Sequence, residues 1–304
     1  MRIGFVTAIF ADLDVDKVLD IGVQEGYGSV EVMCWPVGKA ERRYAGVTHI
    51  DVNKLDTRET AKIQEKLAAK NIGISALGYY PNILDANREM TGVCISHLKK
   101  VISGASKLGL TNVNTFIGRD HTRDLDYNKD RFKEVWPEII KHAEREKVKI
   151  GIENCPMYFT ADEWPGGKNM AYTPAIWSWM FEQIDSQNFG LNYDPSHLVW
   201  QMIDYIQPLY DFEEKIFHVH LKDAKIDTRK LNQVGITAHP LEYHSPKLPG
   251  LGDVNWGKFF SALTDIGYTG DVVVEVEDRA YENSLDSRIG AVRQVRNYMN
   301  QFLY

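Results

Sequence analysis

Eight short β-branched or apolar segments alternate with longer amphipathic segments along the chain. In the amphipathic segments apolar residues recur three and four positions apart, as at Val15, Val18 and Leu19, a spacing typical of helices. Strand and helix patterns that alternate in this way predict repeated βα units around a parallel sheet. The predicted strands are Arg2 to Thr7, Ser29 to Trp35, Gly73 to Tyr79, Asn112 to Ile117, Lys149 to Glu153, Phe189 to Asp194, Ile216 to Leu221 and Asp271 to Glu277. Eight units in 304 residues, with no linker between them, predict an α/β fold, the (β/α)8 TIM barrel, as a single domain over residues 1–304.

The connections that follow predicted strands two, five and seven are long. They run from Pro36 to Leu55, from Pro156 to Tyr172 and from Asp223 to Val254, whereas the helix-to-strand turns are short. Barrel enzymes build their sites from the loops at the C-terminal ends of the strands, so the working face is expected there. The third loop is predicted to be a lid or wall over a pocket, with His239, Tyr243 and His244 as candidates for selecting the substrate.

Composition excludes several classes of partner. A net charge of −7, from 42 acidic and 35 basic residues without a long run of one sign, argues against nucleic acid and anionic membranes as partners. The first ten residues enter a strand pattern at once, without the features of a secretory signal, and the three cysteines show no zinc spacing. We therefore expect a cytoplasmic protein with a small-molecule partner. The sequence leaves open whether the chain forms a homo-oligomer.

Ionisable residues at the ends of four consecutive predicted strands are the informative exceptions to an apolar barrel. They are Glu153, Asp194, His220 and Glu275. Neighbouring strands of a closed barrel bring such groups together, where three carboxylates alone would repel one another. A divalent cation would remove this repulsion, and the mixed oxygen and nitrogen donors suit manganese, zinc, cobalt or magnesium. Each residue taken singly also fits a paired structural carboxylate or a hydrogen-bonded core histidine.

The motifs around these strand ends resemble the xylose-isomerase-like barrel superfamily. The resemblance is to its sugar phosphate isomerase/epimerase group, which contains ketose 3-epimerases and inosose dehydratase, and it covers nearly the whole chain. It rests on Ile152-Glu-Asn154, Asp194-Pro-Ser-His197, His218-Val-His-Leu-Lys-Asp223, Pro249-Gly-Leu-Gly-Asp-Val-Asn-Trp256 and Gly270-Asp-Val-Val-Val-Glu-Val-Glu-Asp278. Together these motifs indicate the superfamily but not the substrate.

This resemblance implies a metal site and a chemistry. One divalent ion, expected to be manganese, would be bound by Glu153, Asp194, His220 and Glu275, and Glu153 and Glu275 would also act as the acid and base on opposite faces of a ketose or keto-sugar. His197 resembles a histidine that contacts substrate hydroxyls. The other candidate substrate-binding residues are Lys222, Asp223, Arg119, His244 and Trp164.

The chain also departs from the epimerase pattern. Those enzymes carry an arginine six residues beyond the metal-bound histidine, where this chain has Ile226. This departure argues against a free ketose as the substrate. The alternative to an isomerase or epimerase is a metal-dependent lyase. It would dehydrate an inosose or cleave a 3-keto-glycoside after the same proton abstraction. An apurinic-endonuclease role is disfavoured because the additional histidines it needs are replaced by Gly78-Tyr79 and Ile117-Gly118, and a non-catalytic binding barrel is disfavoured because all four candidate ligands are present.

Overall fold

A closed barrel of eight parallel strands forms the centre of the molecule, as the computed structural model shows for residues 1–38, 45–158 and 160–303. The barrel strands are β1 (Arg2–Val6), β2 (Ser29–Met33), β3 (Gly73–Gly78), β4 (Asn112–Thr115), β5 (Lys149–Glu153), β6 (Phe189–Tyr193), β7 (Ile216–Leu221) and β10 (Asp271–Val274). Each barrel strand pairs with the barrel strands that precede and follow it along the chain. Strand β10 closes the barrel by pairing with both β7 and β1. The predicted TIM barrel and its eight strands are confirmed.

Helices surround the barrel. They are α1 (Val15–Gln24), α2 (Thr57–Lys70), α3 (Arg88–Lys107), α4 (Leu125–Glu146), α5 (Pro174–Gln183), α6 (Ser196–Val199), α7 (Gln207–Asp211), α8 (Thr228–Val234), α9 (Trp256–Asp265) and α10 (Leu285–Met299). Most of the longer ones begin at a side chain that accepts a hydrogen bond from a backbone N–H of the first turn, as Asp14 does for α1 and Asp124 for α4. In the described parts of the chain, no helix is both long and apolar enough to cross a membrane.

The loop after β7 contains a two-stranded antiparallel ribbon that the sequence did not predict. It consists of β8 (Asp223–Ile226) and β9 (His244–Lys247), with Asp223 opposite Lys247. Strand β9 reads His-Ser-Pro-Lys and therefore lacks the apolar alternation by which a strand is recognised. In the loop after β2, residues 39–44 lie outside the described residues.

The inside of the barrel is polar, whereas the layer between strands and helices is apolar. Glu31, Asn114, Asn192 and His218 are fully buried in the strands; the amide of Asn114 donates to Glu31, and His218 hydrogen-bonds to the side-chain oxygen of Asn192. Large side chains such as Trp136 fill the outer layer. Hydrogen-bonded polar side chains inside the barrel lower the desolvation cost of charged groups at its mouth, whereas an apolar interior would raise that cost.

Candidate active site

Four side chains from neighbouring strands meet at the C-terminal mouth of the barrel. Glu153 is the last residue of β5, Asp194 and Glu275 directly follow β6 and β10, and His220 lies near the end of β7. One potential ligand atom from each lies within 4.8 Å of the others. The sequence prediction that these residues converge therefore agrees with the geometry.

Backbone contacts fix the strand ends that carry these groups. Asn154 and Asp194 exchange two hydrogen bonds, the Asn154 amide donating to the Asp194 carbonyl and the Asp194 N–H donating to the Asn154 side chain. The N–H of Ser196 donates to Oδ1 of Asp194 at 2.8 Å. One oxygen of the Asp194 carboxylate is thereby held, and the other, Oδ2, is directed into the cluster.

The atoms that face the cluster have the chemistry of a cation site. Among the described residues, Asp194 Oδ2, His220 Nδ1 and His197 Nε2 are buried side-chain atoms without a hydrogen-bond partner. Leaving a buried polar atom without a hydrogen bond costs about 1–3 kcal/mol. Several such atoms that point to one place therefore indicate a binding site for a partner such as a cation. Three carboxylates and one imidazole suit a divalent ion of the manganese, zinc, cobalt or magnesium type. The residues present therefore fit the metal that the resemblance implies.

The ammonium group of Lys222 lies among the same carboxylates. Its Nζ is 2.6 Å from Glu275 Oε2, 3.1 Å from Asp194 Oδ2 and 3.2 Å from Glu277 Oε2, and it is also 3.8 Å from Glu153 Oε1. Burial alone would lower the pKa of Lys222, but the surrounding carboxylates outweigh it and raise that pKa well above its usual range. Lys222 is therefore a fixed positive charge beside the four converging groups.

His197 is the second imidazole at the cluster. Its Nε2 is 3.3 Å from Asp194 Oδ2 and 3.4 Å from Glu153 Oε1. The residue lies on the single-turn helix α6, three positions after Asp194, so the same turn places both side chains at the mouth. His197 can donate a hydrogen bond to a group bound between these carboxylates.

A buried hydrogen-bond network below the cluster orients His220. Nε2 of His220 is 2.8 Å from Glu31 Oε2, and Tyr80 donates its hydroxyl proton to the same carboxylate. With its proton on Nε2, His220 presents the lone pair of Nδ1 to the cluster. The sequence analysis missed Glu31 and Tyr80. The available signal was a glutamate between two valines in an otherwise apolar predicted strand.

The pKa values of the two candidate proton-transfer groups move in opposite directions. Burial alone would raise the pKa of Glu153, but the nearby imidazoles of His197 and His220 and the charge of Lys222 hold it well below its usual range. Burial raises the pKa of Glu275; Lys222 opposes this effect, Glu153 and Glu277 add repulsion, and the result is a pKa of about 7. Two carboxyl groups with separated pKa values are typical of an acid and base pair.

The cluster opens into a cavity of about 600 Å³. One side, here called the charged face, consists of Glu153, His197, Lys222, Glu275 and Glu277. The other side, here called the apolar wall, consists of Val6, Ala8, Met33, Trp35, Phe116 and Met157. The rim between them includes Tyr158, Trp200 and His244, and the ring of His244 stacks on that of Trp200 with centroids 4.9 Å apart.

The structure separates the predicted substrate-binding residues into two groups. His197, Lys222 and His244 line the cavity, as do Leu241 and Lys247 from the loop that was predicted to be a lid or wall. Of the other two residues proposed to select the substrate, Tyr243 is buried and His239 packs against the ring of Tyr158.

Asp223, Arg119 and Trp164, which were also predicted to bind substrate, are not among the described residues that line the cavity. The Asp223 carboxylate accepts hydrogen bonds from the backbone of Ala224, Gly250 and Val254 and from the indole of Trp256. Arg119 donates to the carbonyl of Gly166, and Trp164 donates to that of Thr237. These polar groups therefore hold loops together. A sequence pattern does not distinguish a residue with this role from one that faces a substrate.

The model of the xylose isomerase-like TIM barrel family matches residues 19–301. The chain belongs to this family. Over 311 residues it is 24% identical to the protein YfiH of Bacillus subtilis (strain 168), covering 91% of this chain and 93% of that protein. Family membership agrees with the closed parallel barrel.

Two enzymes are among the relatives over shorter stretches. The chain is 25% identical to the ketose 3-epimerase of Arthrobacter globiformis over 189 residues, or 62% of this chain and 48% of the epimerase. It is 31% identical to the inosose dehydratase of Geobacillus thermodenitrificans (strain NG80-2) over 120 residues, or 38% of this chain and 40% of the dehydratase. The chain thus spans less than half the length of either enzyme in these matches.

Solved structures share the fold over the full chain. A D-psicose 3-epimerase crystallised in the presence of D-fructose superposes with a TM-score of 0.72 at 14% identity, covering 100% of this chain and 99% of the other. An IolI protein with a bound zinc atom superposes with a TM-score of 0.71 at 17% identity, with the same coverage. At these identities the likeness establishes the fold alone.

Proposed function

We propose that this protein is a divalent-metal-dependent sugar isomerase or epimerase that removes a proton next to the carbonyl of a ketose or keto-sugar. The observation that carries the proposal is the pairing of Glu153 and Glu275, which belong to one cation-binding set and line the same cavity. They extend from β5 and β10, which are separated in the barrel by β6 and β7. The two carboxylates therefore approach a bound substrate from different directions.

The residues of the site have separate roles in metal binding and proton transfer. Glu153, Asp194, His220 and Glu275 would hold the cation, which when bound supplies the positive charge that acidifies the C–H next to a carbonyl. Glu153, whose pKa is low, accepts the proton, and Glu275 delivers one to the opposite face. His197 donates a hydrogen bond to a substrate hydroxyl. Lys222 adds a second positive charge beside the carboxylates.

Manganese is the metal we propose, with zinc, cobalt and magnesium as alternatives that the same donors accept. Support for a divalent ion comes from the fit of the donor set and from the zinc atom in the IolI structure. Metal analysis of the chain purified without chelators should find close to one equivalent of metal. Retention of no divalent metal, even after incubation with excess manganese, would contradict the proposal.

A lyase is the second candidate, and the position of Lys222 favours it. An ammonium group 2.6 Å from Glu275 can donate a hydrogen bond to a departing oxygen on the same side of the substrate and stabilise its charge, while Glu275 supplies the proton. Loss of a β-substituent after proton abstraction would then replace reprotonation at carbon. The inosose dehydratases among the relatives agree with such a reaction.

One experiment tests the function and separates the two candidates. The metal-loaded protein is incubated in deuterium oxide with ketoses, inososes and 3-keto-glycosides, and each reaction is followed by NMR. An epimerase or isomerase incorporates solvent deuterium into a rearranged product, whereas a lyase releases water or an aglycone and leaves an unsaturated ketone. If no compound from the three classes reacts or exchanges a C–H with solvent, the proposed function is wrong.

A further inference from the structure

The apolar wall is one continuous surface rather than a set of isolated side chains. Five of its six residues belong to a single buried cluster, and Trp35 packs against that cluster. Tyr80 belongs to the same cluster, with its ring centroid 5.0 Å from that of Phe116. The Tyr80 hydroxyl donates to Glu31 and accepts from Asn192, so the ring is the part of Tyr80 that this surface can offer.

Such a surface is a poor partner for an unsubstituted sugar. Every hydroxyl that leaves water needs a new hydrogen bond, and burying one without a partner costs about 1–3 kcal/mol by protein mutational data. The wall offers hydrocarbon, thioether and indole side chains, whereas the charged face offers carboxylates, an imidazole and an ammonium group. The hydroxylated part of a substrate therefore belongs on the charged face, and the wall favours an apolar part.

One residue of the apolar wall has a strained backbone conformation. Met157 has a φ of 59°, a left-handed conformation that residues other than glycine seldom adopt. Asn169 holds this loop, because its side chain donates to the carbonyls of Glu153 and Cys155 and accepts from the N–H of Ile117 and Gly118. Strain that is held in place in this way is common where a loop presents a side chain to a ligand.

The volume of the cavity agrees with a substrate that has two parts. At the ~30 Å³ that a water molecule occupies in the liquid, the cavity corresponds to about 20 waters. Its 600 Å³ lies within the range of about 300–1,000 Å³ typical of pockets for drug-sized ligands. A single unsubstituted sugar bound at the charged face would leave the apolar wall facing water.

We propose that the apolar wall is the binding subsite for an aryl or alkyl substituent carried by the sugar-derived substrate. The substrate class is thus a keto-sugar with an apolar group attached, rather than a free ketose. This inference rests on the proposed function for the sugar part, but the wall itself can be tested without turnover.

Two hydroxamates provide the test. Acetohydroxamate and benzohydroxamate chelate a metal through the same two oxygens and differ in a methyl or phenyl group. Their affinities for the zinc-loaded protein are measured by calorimetry. Methionine ¹³C-methyl NMR follows Met33 and Met157, with their signals assigned from Met→Leu variants. Benzohydroxamate should bind about tenfold tighter or better, the ratio expected when an aromatic ring is buried, and should shift both methyl signals.

Variants of the wall should remove this advantage. Phe116→Ser takes away an aromatic surface, and Ala8→Leu fills the space without adding a polar group; in both, the affinity ratio should fall below about threefold while acetohydroxamate still binds. Val93→Ser, at an exposed position on α3, is the matched control and should keep the full ratio. Unchanged acetohydroxamate affinity also shows that a variant is folded.

The outcomes separate failure of the wall from failure of the metal site. If benzohydroxamate binds without shifting Met33 or Met157, or keeps its advantage in both wall variants, the subsite is overturned. If neither hydroxamate binds, the metal site proposed for this protein is wrong, and the wall is then decided by titrating benzyl alcohol into the metal-free protein. Shifts of the two methyl signals would support the subsite, and their absence would overturn it.

Discussion

The charged face and the apolar wall line one cavity, and both are built at the C-terminal ends of barrel strands. The charged face comes from β5, α6 and the residues after β7 and β10. The wall comes from β1 and β2, from the residues that follow them, and from one residue each after β4 and β5. On one side a buried cluster of opposite charges concentrates electrostatic effects in a low-dielectric setting. On the other, the side chains supply shape and apolar area. We therefore expect the chemistry at the charged face and recognition of the substituent at the apolar wall.

The largest effects are expected from the carboxylates of the charged face. Glu153→Gln and Glu275→Gln preserve shape but remove proton transfer, so each should reduce kcat by at least roughly 10²-fold. For an epimerase, one of the two variants should still exchange substrate hydrogen with deuterium oxide without inverting the centre, because deprotonation on one face survives. Rates are measured by NMR, with Glu134→Gln on α4 as the control for loss of an exposed carboxylate. Inversion at near-normal rate by both variants would move the search to His197, Lys222 or Glu277.

Glu31 tests whether the strand on which a residue lies decides if it serves the charged face or the apolar wall. It lies on β2, the strand that contributes Met33 to the wall, but its carboxylate reaches His220. Glu31→Gln removes the negative charge that orients and polarises this imidazole, and manganese affinity should fall by about 10–100-fold. Affinity is measured by competition with a chelator, with Glu59→Gln on α2 as the matched loss of one carboxylate. Equal manganese affinity in both variants would show that Glu31 serves only the packing of the barrel interior.

Asp223 sharpens the comparison because it lies two residues after β7, on the charged side of the mouth, yet its carboxylate holds a loop together. Asp223→Asn replaces one acceptor oxygen with an amide group that faces N–H donors. We expect the free energy of unfolding to fall by about 1–3 kcal/mol, the cost of leaving buried donors without partners. Denaturant unfolding measures this change. A large loss of substrate affinity with unchanged stability would return Asp223 to the binding site.

The smallest effect is expected at Trp164, which lies outside both surfaces. Trp164→Phe keeps an aromatic ring against Tyr158 but removes the hydrogen bond to the carbonyl of Thr237. For an exposed hydrogen bond we expect a change in kcat/KM below about threefold, corresponding to well under 1 kcal/mol. Steady-state kinetics on the substrate found in the screen provide the measurement. A tenfold change would extend the binding surface to this loop.

Much of the fold followed from local patterns. Strand and helix periodicities depend on residues close in sequence, and eight repeats of them leave few architectures other than a closed barrel. The convergence of Glu153, Asp194, His220 and Glu275 also followed, because the chain order of parallel strands places the ends of β5, β6, β7 and β10 side by side. In these cases the sequence by itself determined the arrangement, since each contact joins neighbouring strands.

Contacts across the barrel were decided only by the tertiary structure. Glu31 and His220 are 189 positions apart and meet because both side chains point inward, and no local pattern records such a meeting. The apolar wall likewise combines residues of β1 and β2 with residues that follow β4 and β5. Asp223 and Glu275 look alike in sequence, since each is an acidic residue within two positions of the end of a barrel strand. Only the packed backbone around Asp223 supplies the donors that turn its carboxylate away from the cavity, whereas Glu275 is left to face the cluster.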